Sequence, residues 1–172
     1  TFNTSPEIDS QIKQLMPLGS GLKIGVSWLT FAKKNGKKRS LSSEELSSIV
    51  NSSNHTFINL QYGDTRKSLE QFSKISNKSL YEIPGIDLTY NIDSLASIIK
   101  NCDLIITIDN STAHLAASLG KPVWILLPTN NDFRWMEKRE ESVWYKNALL
   151  LRQAKKDSWS EVIQNINSAL GQ

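Results

Sequence analysis

The sequence has few residues that bind metal ions or form disulfide bonds. It contains one cysteine, Cys102, and two histidines among 172 residues. A single cysteine excludes an internal disulfide framework, and so few sulfur and imidazole ligands leave little material for a zinc site. We therefore expect no bound metal and no cofactor.

Long apolar runs and targeting signals are also missing. No run approaches the roughly 20 apolar residues that span a bilayer, and the opening "TFNTSPEIDSQIK" lacks the basic start and apolar centre of a signal peptide. With 39% hydrophobic and 22% charged residues, the composition is that of a soluble globular protein. We expect one domain, no transmembrane segment and a cytoplasmic location.

What the sequence does contain is an alternation of strand-like and helix-like segments. The strand-like ones are "GLKIGVSW", "TFINLQY", "DLIITID", "VWILLP", "ALLLRQ" and, shorter, "SLYEIPG". Helical patterns separate them, in "SLSSEELSSIV", "DTRKSLEQFSKIS", "NIDSLASIIKN" and "DSWSEVIQNINSAL". This alternation predicts an α/β fold with a parallel sheet of about six strands, covered by helices on both sides in three layers.

Several helix ends carry recognisable signals. Ser42 and Glu45 have the spacing of a capping box, and Asp93 is placed to cap the helix in "NIDSLASIIKN". Gly120 is predicted at the C′ position of the helix that begins near residue 111. These signals fix the predicted helix bounds.

The stretch "DLIITIDNSTAHLAASLG" joins a buried strand directly to a helix. A helix N-terminus offers unsatisfied N–H donors and a partial positive charge, both of which suit phosphate oxygens. Ser111, Thr112 and His114 would add side-chain donors. The alternative is that Asn110 or Ser111 simply caps the helix and that His114 is a core histidine.

Other chemistries fit this turn poorly. Asp109, Ser111 and His114 are too close in sequence for a hydrolase triad and lack a GxSxG elbow. "GSGLKIG" precedes its strand and so fails as a dinucleotide fingerprint, and no Walker A sequence occurs. The net charge is only +3, and the basic run "KKNGKKR" at 33–39 is typical of a solvated loop. This basic run is the one feature that favours nucleic-acid binding. Because no recognition helix or aromatic motif accompanies it, we expect no nucleic-acid partner.

Taken in order, several segments resemble one known family. They are "GVSW", "KRSL", "NLQYGD", "NIDSLASIIKNCDLIITIDNSTAHLAASLGKPVWILLP", "DFRW", "SVWY" and "LLRQ" followed by a tryptophan. Over roughly residues 22 to 170 the chain resembles the C-terminal half of family 9 glycosyltransferase-like proteins, which are related to heptosyltransferases and often follow tetratricopeptide repeats. The resemblance implies a GT-B architecture of two Rossmann-like domains. Residues 22–172 would be the nucleotide-sugar-binding domain, and 1–21 an incoming helix or interdomain linker.

The resemblance also assigns roles to individual residues. The family's Asp-x-x-x-x-His pattern falls on Asp109 and His114, and its basic residue after the first strand falls on Lys38 or Arg39. One of these two residues, Lys38 or Arg39, would stabilise the leaving diphosphate, because negative charge accumulates there as the glycosidic bond breaks. The residues expected to bind the donor are Thr30, Asn91, Asp109, Asn110, Ser111, Thr112, Ala113, His114 and Arg134.

Less specific expectations concern the surroundings of this site. The segment around Tyr90 would recognise the base, although Tyr90 packing in the core is an open alternative. Core packing is favoured for Trp135 and Trp144, and Gln61 is expected to hold neighbouring loops in place. Lys33, Lys34 and Lys37 are predicted to be solvated.

The activity implied is transfer of a sugar from a nucleoside diphosphate sugar to a hydroxyl of a glycan, lipid or protein acceptor. The resemblance implies a metal-independent, inverting displacement whose general base belongs to an N-terminal domain absent from this chain, so the isolated domain should be inactive. A rival hypothesis is an inactive binding or scaffolding module. A basic nucleic-acid-binding domain is a third, and it predicts affinity that falls steeply with salt.

Overall fold

A parallel five-stranded sheet forms the centre of the protein. The computed structural model describes residues 4–32, 36–130, 133–136 and 139–171. The strands are β1 (Lys23–Ser27), β2 (Thr56–Asn59), β3 (Leu104–Ile108), β4 (Val123–Leu127) and β5 (Ala148–Arg152), in the order β2-β1-β3-β4-β5. The helices are α1 (Pro6–Leu15), α2 (Gly36–Arg39), α3 (Ser43–Asn51), α4 (Arg66–Ile75), α5 (Ile92–Lys100), α6 (Ser111–Ser118) and α7 (Ser160–Leu170), with a 3₁₀ turn at Phe133–Trp135.

Helices cover both faces of the sheet. On one face, Ile12 of α1, Ile98 of α5 and Ala116 of α6 pack into one core, and on the other face α3, α4 and α7 pack into a second. Neighbouring strand residues alternate between the two cores, as Ile105 and Ile106 do, because side chains along a strand point to opposite faces. The predicted three-layer α/β fold is confirmed.

The connections reverse direction between β1 and β3. The chain leaving β1 passes through α3 on one face, whereas the chain leaving β3 passes through α6 on the other. The loops that follow these two adjacent strands therefore diverge and leave a crevice at the carboxyl edge of the sheet, where open α/β folds bind ligands. This crevice contains the turn at residues 109–112.

A sixth strand of the sheet was expected in "SLYEIPG" but is reduced to a single bridge. Tyr81 forms one isolated parallel bridge with Ile58 of β2, and the pairing does not extend to the residues beside it. Pro84 has no N–H group to donate to a strand ladder, and the chain turns at residues 84–85, where Gly85 has a φ of 72°. The sheet among the described residues has five strands.

The helix ends agree with most of the local signals. The Ser42 hydroxyl accepts from the amide of Glu45 at 3.2 Å, and the Glu45 carboxylate accepts from the amide of Ser42 at 2.7 Å, which completes the capping box. Gly120 follows α6 with a φ of 75°, in the left-handed region that glycine tolerates. The prediction for Asp93 is wrong. Asn91 caps α5 and leaves Asp93 in the first turn, because the Asn91 side chain accepts from the amide of Ser94 at 2.9 Å.

The first helix packs tightly against α5. Ile12 is fully buried between them, and the Lys100 ammonium donates to the Asp9 carboxylate at 2.7 Å. Hydrogen bonds from Lys100 and Thr4 lower the pKa of Asp9 to about 2. That residues 1–21 form a linker between two domains stays a prediction.

Helices long and apolar enough to cross a bilayer do not occur among the described residues.

Candidate functional site

Asp109, the first residue after β3, connects three loops at the carboxyl edge. Its side chain is only 6% exposed. Nη2 of Arg39, from the loop after β1, donates to Oδ2 at 3.0 Å and also to the Asp109 backbone carbonyl. The indole Nε1 of Trp135, from the loop after β4, donates to Oδ1 at 2.7 Å. Both carboxylate oxygens are thus occupied by protein donors, and Asp109 fixes two side chains that come from distant parts of the chain.

Asn110 anchors the start of α6 to the end of β1. Its Oδ1 accepts from the amides of Thr112 at 3.0 Å and Ala113 at 3.4 Å and from the Thr107 hydroxyl at 3.1 Å. Its Nδ2 donates to the Ser27 hydroxyl at 2.8 Å. Asn110 is therefore the helix cap, as the alternative interpretation of this turn predicted, and its side chain holds the two sides of the crevice together.

Gln61 performs the loop-holding role that was predicted for it. Its buried Oε1 accepts from the amides of Trp28 at 2.8 Å and Leu29 at 2.7 Å. Its Nε2 donates to the carbonyls of Leu29 and Tyr62, each at 3.1 Å. These bonds satisfy backbone groups beyond the end of β1, where ladder bonding stops.

The two candidate cations have different surroundings. Arg39 is 26% exposed and belongs to the ion pair with Asp109. Lys38 is 55% exposed, and its ammonium lies 3.6 Å from the carboxylate of Asp157. Both line a small pocket of about 90 Å³ with Thr129 and Asn130 from the loop after β4. The structure fixes the Arg39 guanidinium more firmly than the Lys38 ammonium.

His114 lies in a cluster of aromatic side chains. Its ring stacks on the indole of Trp135, with centroids 4.9 Å apart and planes at 21°. Its Nδ1 is 3.2 Å from the phenolic oxygen of Tyr145. His114 is half-buried, and it follows the exposed Ser111 by three residues, so the two share one face of α6.

The residues next to Ser111 face inward. Thr112 and Ala113 are fully buried, and their amides bond to Asn110. The Thr112 hydroxyl has no hydrogen-bond partner among the described residues. Of the three residues expected against the diphosphate, only Ser111 presents its side chain to solvent.

The remaining predicted site residues have contacts outside the network around Asp109. The amide of Thr30 donates to Ser40 Oγ at 3.0 Å, and Asn91 lies at the start of α5, whose N-terminus is at the same edge of the sheet. The guanidinium of Arg134 lies 5.9 Å from the ring centroid of Phe133. Tyr90 is exposed, so it does not pack in the core. Lys33, Lys34 and the side chain of Lys37 lie outside the described residues.

The sequence interpretation missed the two aromatic partners of His114. Core packing is confirmed for Trp135 but wrong for Trp144, which is 65% exposed. Neither the bond from Trp135 to Asp109 nor the contact of Tyr145 with His114 was predicted. The only available signal was the presence of "DFRW" and "SVWY" among the family-like segments, which marks the residues but not their contacts.

The described residues contain no group of three or more histidine, cysteine, aspartate or glutamate side chains that could hold a metal ion. The groups that the structure brings together at the site are cations, other hydrogen-bond donors and a helix N-terminus, which together suit an anionic ligand.

Comparison with known proteins agrees with this architecture. Protein FlbA of Caulobacter vibrioides is 26% identical over 159 residues, which are 91% of this chain and 26% of FlbA. The family 9 glycosyl transferase of Veillonella parvula has a TM-score of 0.71 at 13% identity, and E. coli ADP-heptose LPS heptosyltransferase II has 0.69 at 14%. This chain covers 44% and 52% of those two structures, with 95% and 98% of its own length aligned.

A third fold neighbour has another activity. The UDP-GlcNAc 2-epimerase of Methanocaldococcus jannaschii, solved with UDP-GlcNAc and UDP, has a TM-score of 0.60 at 18% identity, over 97% of this chain and 42% of that one. The chain thus spans about a quarter of FlbA and about half of each solved structure. The sequence profile of glycosyltransferase family 9, the heptosyltransferase family, matches residues 27–161, and this chain belongs to that family.

Proposed function

We propose that this domain binds the nucleoside diphosphate sugar of a glycosyl transfer reaction, with the diphosphate between Arg39 and the first turn of α6. One observation carries the proposal. The Arg39 guanidinium is bonded to Asp109, two residues before the exposed Ser111, where the loops after β1 and β3 diverge. A fixed cation and a helix N-terminus meet at this point, and both favour phosphate.

The same arrangement favours the departure of the diphosphate. Negative charge grows on the leaving nucleotide as the bond to the sugar breaks, so a cation already held in place stabilises the transition state more than the ground state. Asp109 provides that fixation for Arg39, while Lys38 is held only by an exposed ion pair. We assign the main role to Arg39 and a supporting role to Lys38.

The diphosphate contacts follow from burial. Ser111 and His114 share the exposed side of α6, whereas Thr112 and Ala113 are buried and support the turn from behind. Asn110 shapes the turn as its cap, and Asp109 orients Arg39. We therefore place Ser111, His114 and Arg39 against the ligand.

The nucleoside requires a second concave surface nearby. A groove of about 580 Å³ lies beside Gln61, between the loop after β2 and the segment that leads to Asn91. We place the nucleoside in this groove, with Thr30 and the start of α5 beside it. The names of two fold neighbours include ADP-heptose and UDP-GlcNAc, which supports a nucleoside diphosphate sugar as the donor.

The complete reaction is a proposal about a longer protein. We propose a metal-independent, inverting transfer to an acceptor hydroxyl, with the acceptor and the general base on a further domain and with tetratricopeptide repeats as neighbours. A cytoplasmic location is part of the same proposal. The support is the family membership and the share of each relative that this chain covers.

Isothermal titration with UDP, GDP and ADP tests donor binding. We expect one nucleotide to bind equally well with magnesium and with EDTA. Arg39→Ala and His114→Ala should each weaken that binding by about tenfold or more, because each removes a hydrogen bond to a charged group.

Lys74→Ala is the control, since it removes an exposed cation that pairs with Glu70 on α4 and does not line the groove beside Gln61. Its affinity should equal that of the original chain. The proposal is contradicted if the folded protein binds none of the nucleotides, or if the Arg39 and His114 variants bind as well as the control.

A further inference from the structure

The ring of His114 is in contact with side chains from two other segments. The Trp135 indole, in the 3₁₀ turn after β4, stacks on it at 4.9 Å and 21°. The Tyr145 hydroxyl, from the segment before β5, lies 3.2 Å from its Nδ1. The Tyr145 ring also meets the imidazole edge-on, at 5.9 Å between centroids. One contact defines the plane of the imidazole, and the other defines its rotation within that plane.

Trp135 is itself held rigidly. Its side chain is buried, its Nε1 donates to Asp109 Oδ1 at 2.7 Å, and its backbone carbonyl accepts from Nη2 of Arg152. The indole cannot rotate without breaking the bond to Asp109, whose other oxygen binds Arg39. Trp135 therefore supports both His114 and, through one carboxylate, Arg39.

We propose that Trp135 and Tyr145 are positioning residues of this site. Trp135 fixes the plane of the His114 ring, and the Tyr145 phenol donates its hydrogen to Nδ1. A neutral imidazole has one donor and one acceptor nitrogen, so a donor at Nδ1 places the ring proton on Nε2. This last step rests on the proposed function: the Nε2–H group is the hydrogen-bond donor to the diphosphate.

The placement of His114 distinguishes this arrangement from core packing. A histidine that only filled space would gain nothing from a fixed tautomer. His114 is instead half-buried and shares a helix face with exposed Ser111, on the side of α6 where we place the diphosphate. Its support comes from two loops, so the ring is in place only when both have folded against α6.

Nitrogen NMR of the imidazoles tests the tautomer without any ligand. The chain has only two histidines, so the spectrum contains His114 and one internal reference, His55, whose Nδ1 accepts from the amide of Leu22 at 3.2 Å. The spectra are compared at a pH high enough that the signals of both rings no longer change, so that each ring is observed in its neutral form. We expect His114 to show a protonated Nε2 and an unprotonated Nδ1.

Three variants separate the contributions. Tyr145→Phe should mix the two tautomers of His114 and leave the His55 signals unchanged. Trp135→Leu should move the His114 ring-proton signals because the stacked ring is lost, and Trp135→Phe keeps an aromatic ring but removes the donor to Asp109. Trp144→Phe is the matched control, since Trp144 is exposed, and it should change nothing.

Titration with the nucleotide that binds then measures the functional consequence. Tyr145→Phe and Trp135→Phe should each weaken its binding by about fivefold, the effect of one hydrogen bond. Circular dichroism and the His55 signals verify folding, and Trp135→Phe replaces Trp135→Leu if the latter does not fold.

The positioning proposal is overturned if the neutral His114 carries its proton on Nδ1. It is also overturned if Tyr145→Phe and Trp135→Phe leave both the His114 signals and the nucleotide affinity unchanged. Failure of the original chain to bind any nucleotide would instead contradict the proposed function, because the NMR result is obtained without ligand.

Discussion

Two arginine–aspartate pairs in this protein have almost the same separation and opposite surroundings. Arg39 and Asp109 lie 3.0 Å apart with side chains 26% and 6% exposed, and Arg66 and Asp64 lie 2.9 Å apart with side chains 89% and 65% exposed. The first pair joins residues 70 positions apart, and the second joins residues two positions apart. Distance alone therefore does not indicate which pair matters for the structure.

The surroundings decide the difference. The Asp109 carboxylate also accepts from the buried Trp135 indole, so removing it leaves the indole N–H without its partner and leaves Arg39 with only its bond to the backbone carbonyl of residue 109. The hydrogen bond from Arg66 lowers the pKa of Asp64 to about 2, yet both groups are surrounded by water, which screens their attraction. The buried pair joins loops that are distant in sequence, whereas the exposed pair joins two side chains of the same short segment.

Replacing the buried carboxylate should have the largest effect. Asp109→Ala removes the charge partner of a partly buried guanidinium, which keeps only its bond to a backbone carbonyl, and leaves a buried indole N–H unpaired. We expect these losses to lower the free energy of unfolding by about 3 kcal/mol. Urea denaturation followed by circular dichroism measures the change.

Asp64→Ala is the control for that experiment, and its unfolding curve should overlay that of the original chain. Equal destabilisation by the two substitutions would show that burial does not separate the pairs.

The two asparagine caps extend the comparison to a neutral residue. Asn110 is buried and also bonds to Ser27 and Thr107, whereas exposed Asn91 bonds the amide of Ser94. Asn110→Ala should lower the free energy of unfolding by about 2 kcal/mol and Asn91→Ala by about 1 kcal/mol, the upper and middle of the range for lost caps. Thermal or urea unfolding of both variants checks the order, and a larger loss for Asn91→Ala would reverse our interpretation.

The smallest expected effect concerns stability in acid. The pKa of Asp9 is lowered to about 2, mainly by its bond to Lys100, which lies 91 positions away. A folded pKa below the unfolded value gives stability that is present above about pH 4 and lost as the pH falls toward 2. Asp9→Asn should therefore flatten the decline of unfolding free energy between pH 4 and 2.

Asp64→Asn should flatten that decline less, although the pKa of Asp64 is lowered equally. Its partner is two residues away, so the pair partly persists in the unfolded chain and less of the shift is gained on folding. A stronger effect of Asp64→Asn than of Asp9→Asn would contradict this account.

The helices and strands were largely predictable because their signals are local. Alternating apolar segments predicted all five strands, and the capping box at Ser42 and the glycine at 120 marked two helix ends. The cap of α5 was placed at Asp93 and not Asn91, since either residue type can cap and sequence does not show which turns back on the amide of Ser94. The segment expected to form a sixth strand pairs only at Tyr81, because Pro84 has no N–H group for a strand ladder.

The candidate site was predictable in its residue types but not in its contacts. The pattern from Asp109 to His114 drew attention to the turn at which Arg39 and Trp135 meet Asp109, and the donor-binding role of that turn stays a prediction. That Asp109 would bond to Arg39 and Trp135 depends on loops that follow three different strands. The stacking of Trp135 on His114 depends on the same loops.

The sequence by itself determined the layers of the fold, the buried strands and the helix that begins after Asn110, because periodicity and capping act over a few residues. The tertiary structure decided which charges are buried and which side chains share a partner. Those outcomes depend on the order of the strands in the sheet, which brings the loops after β1, β3 and β4 to one edge. Residues far apart in the chain acquire a common environment only when that edge has formed.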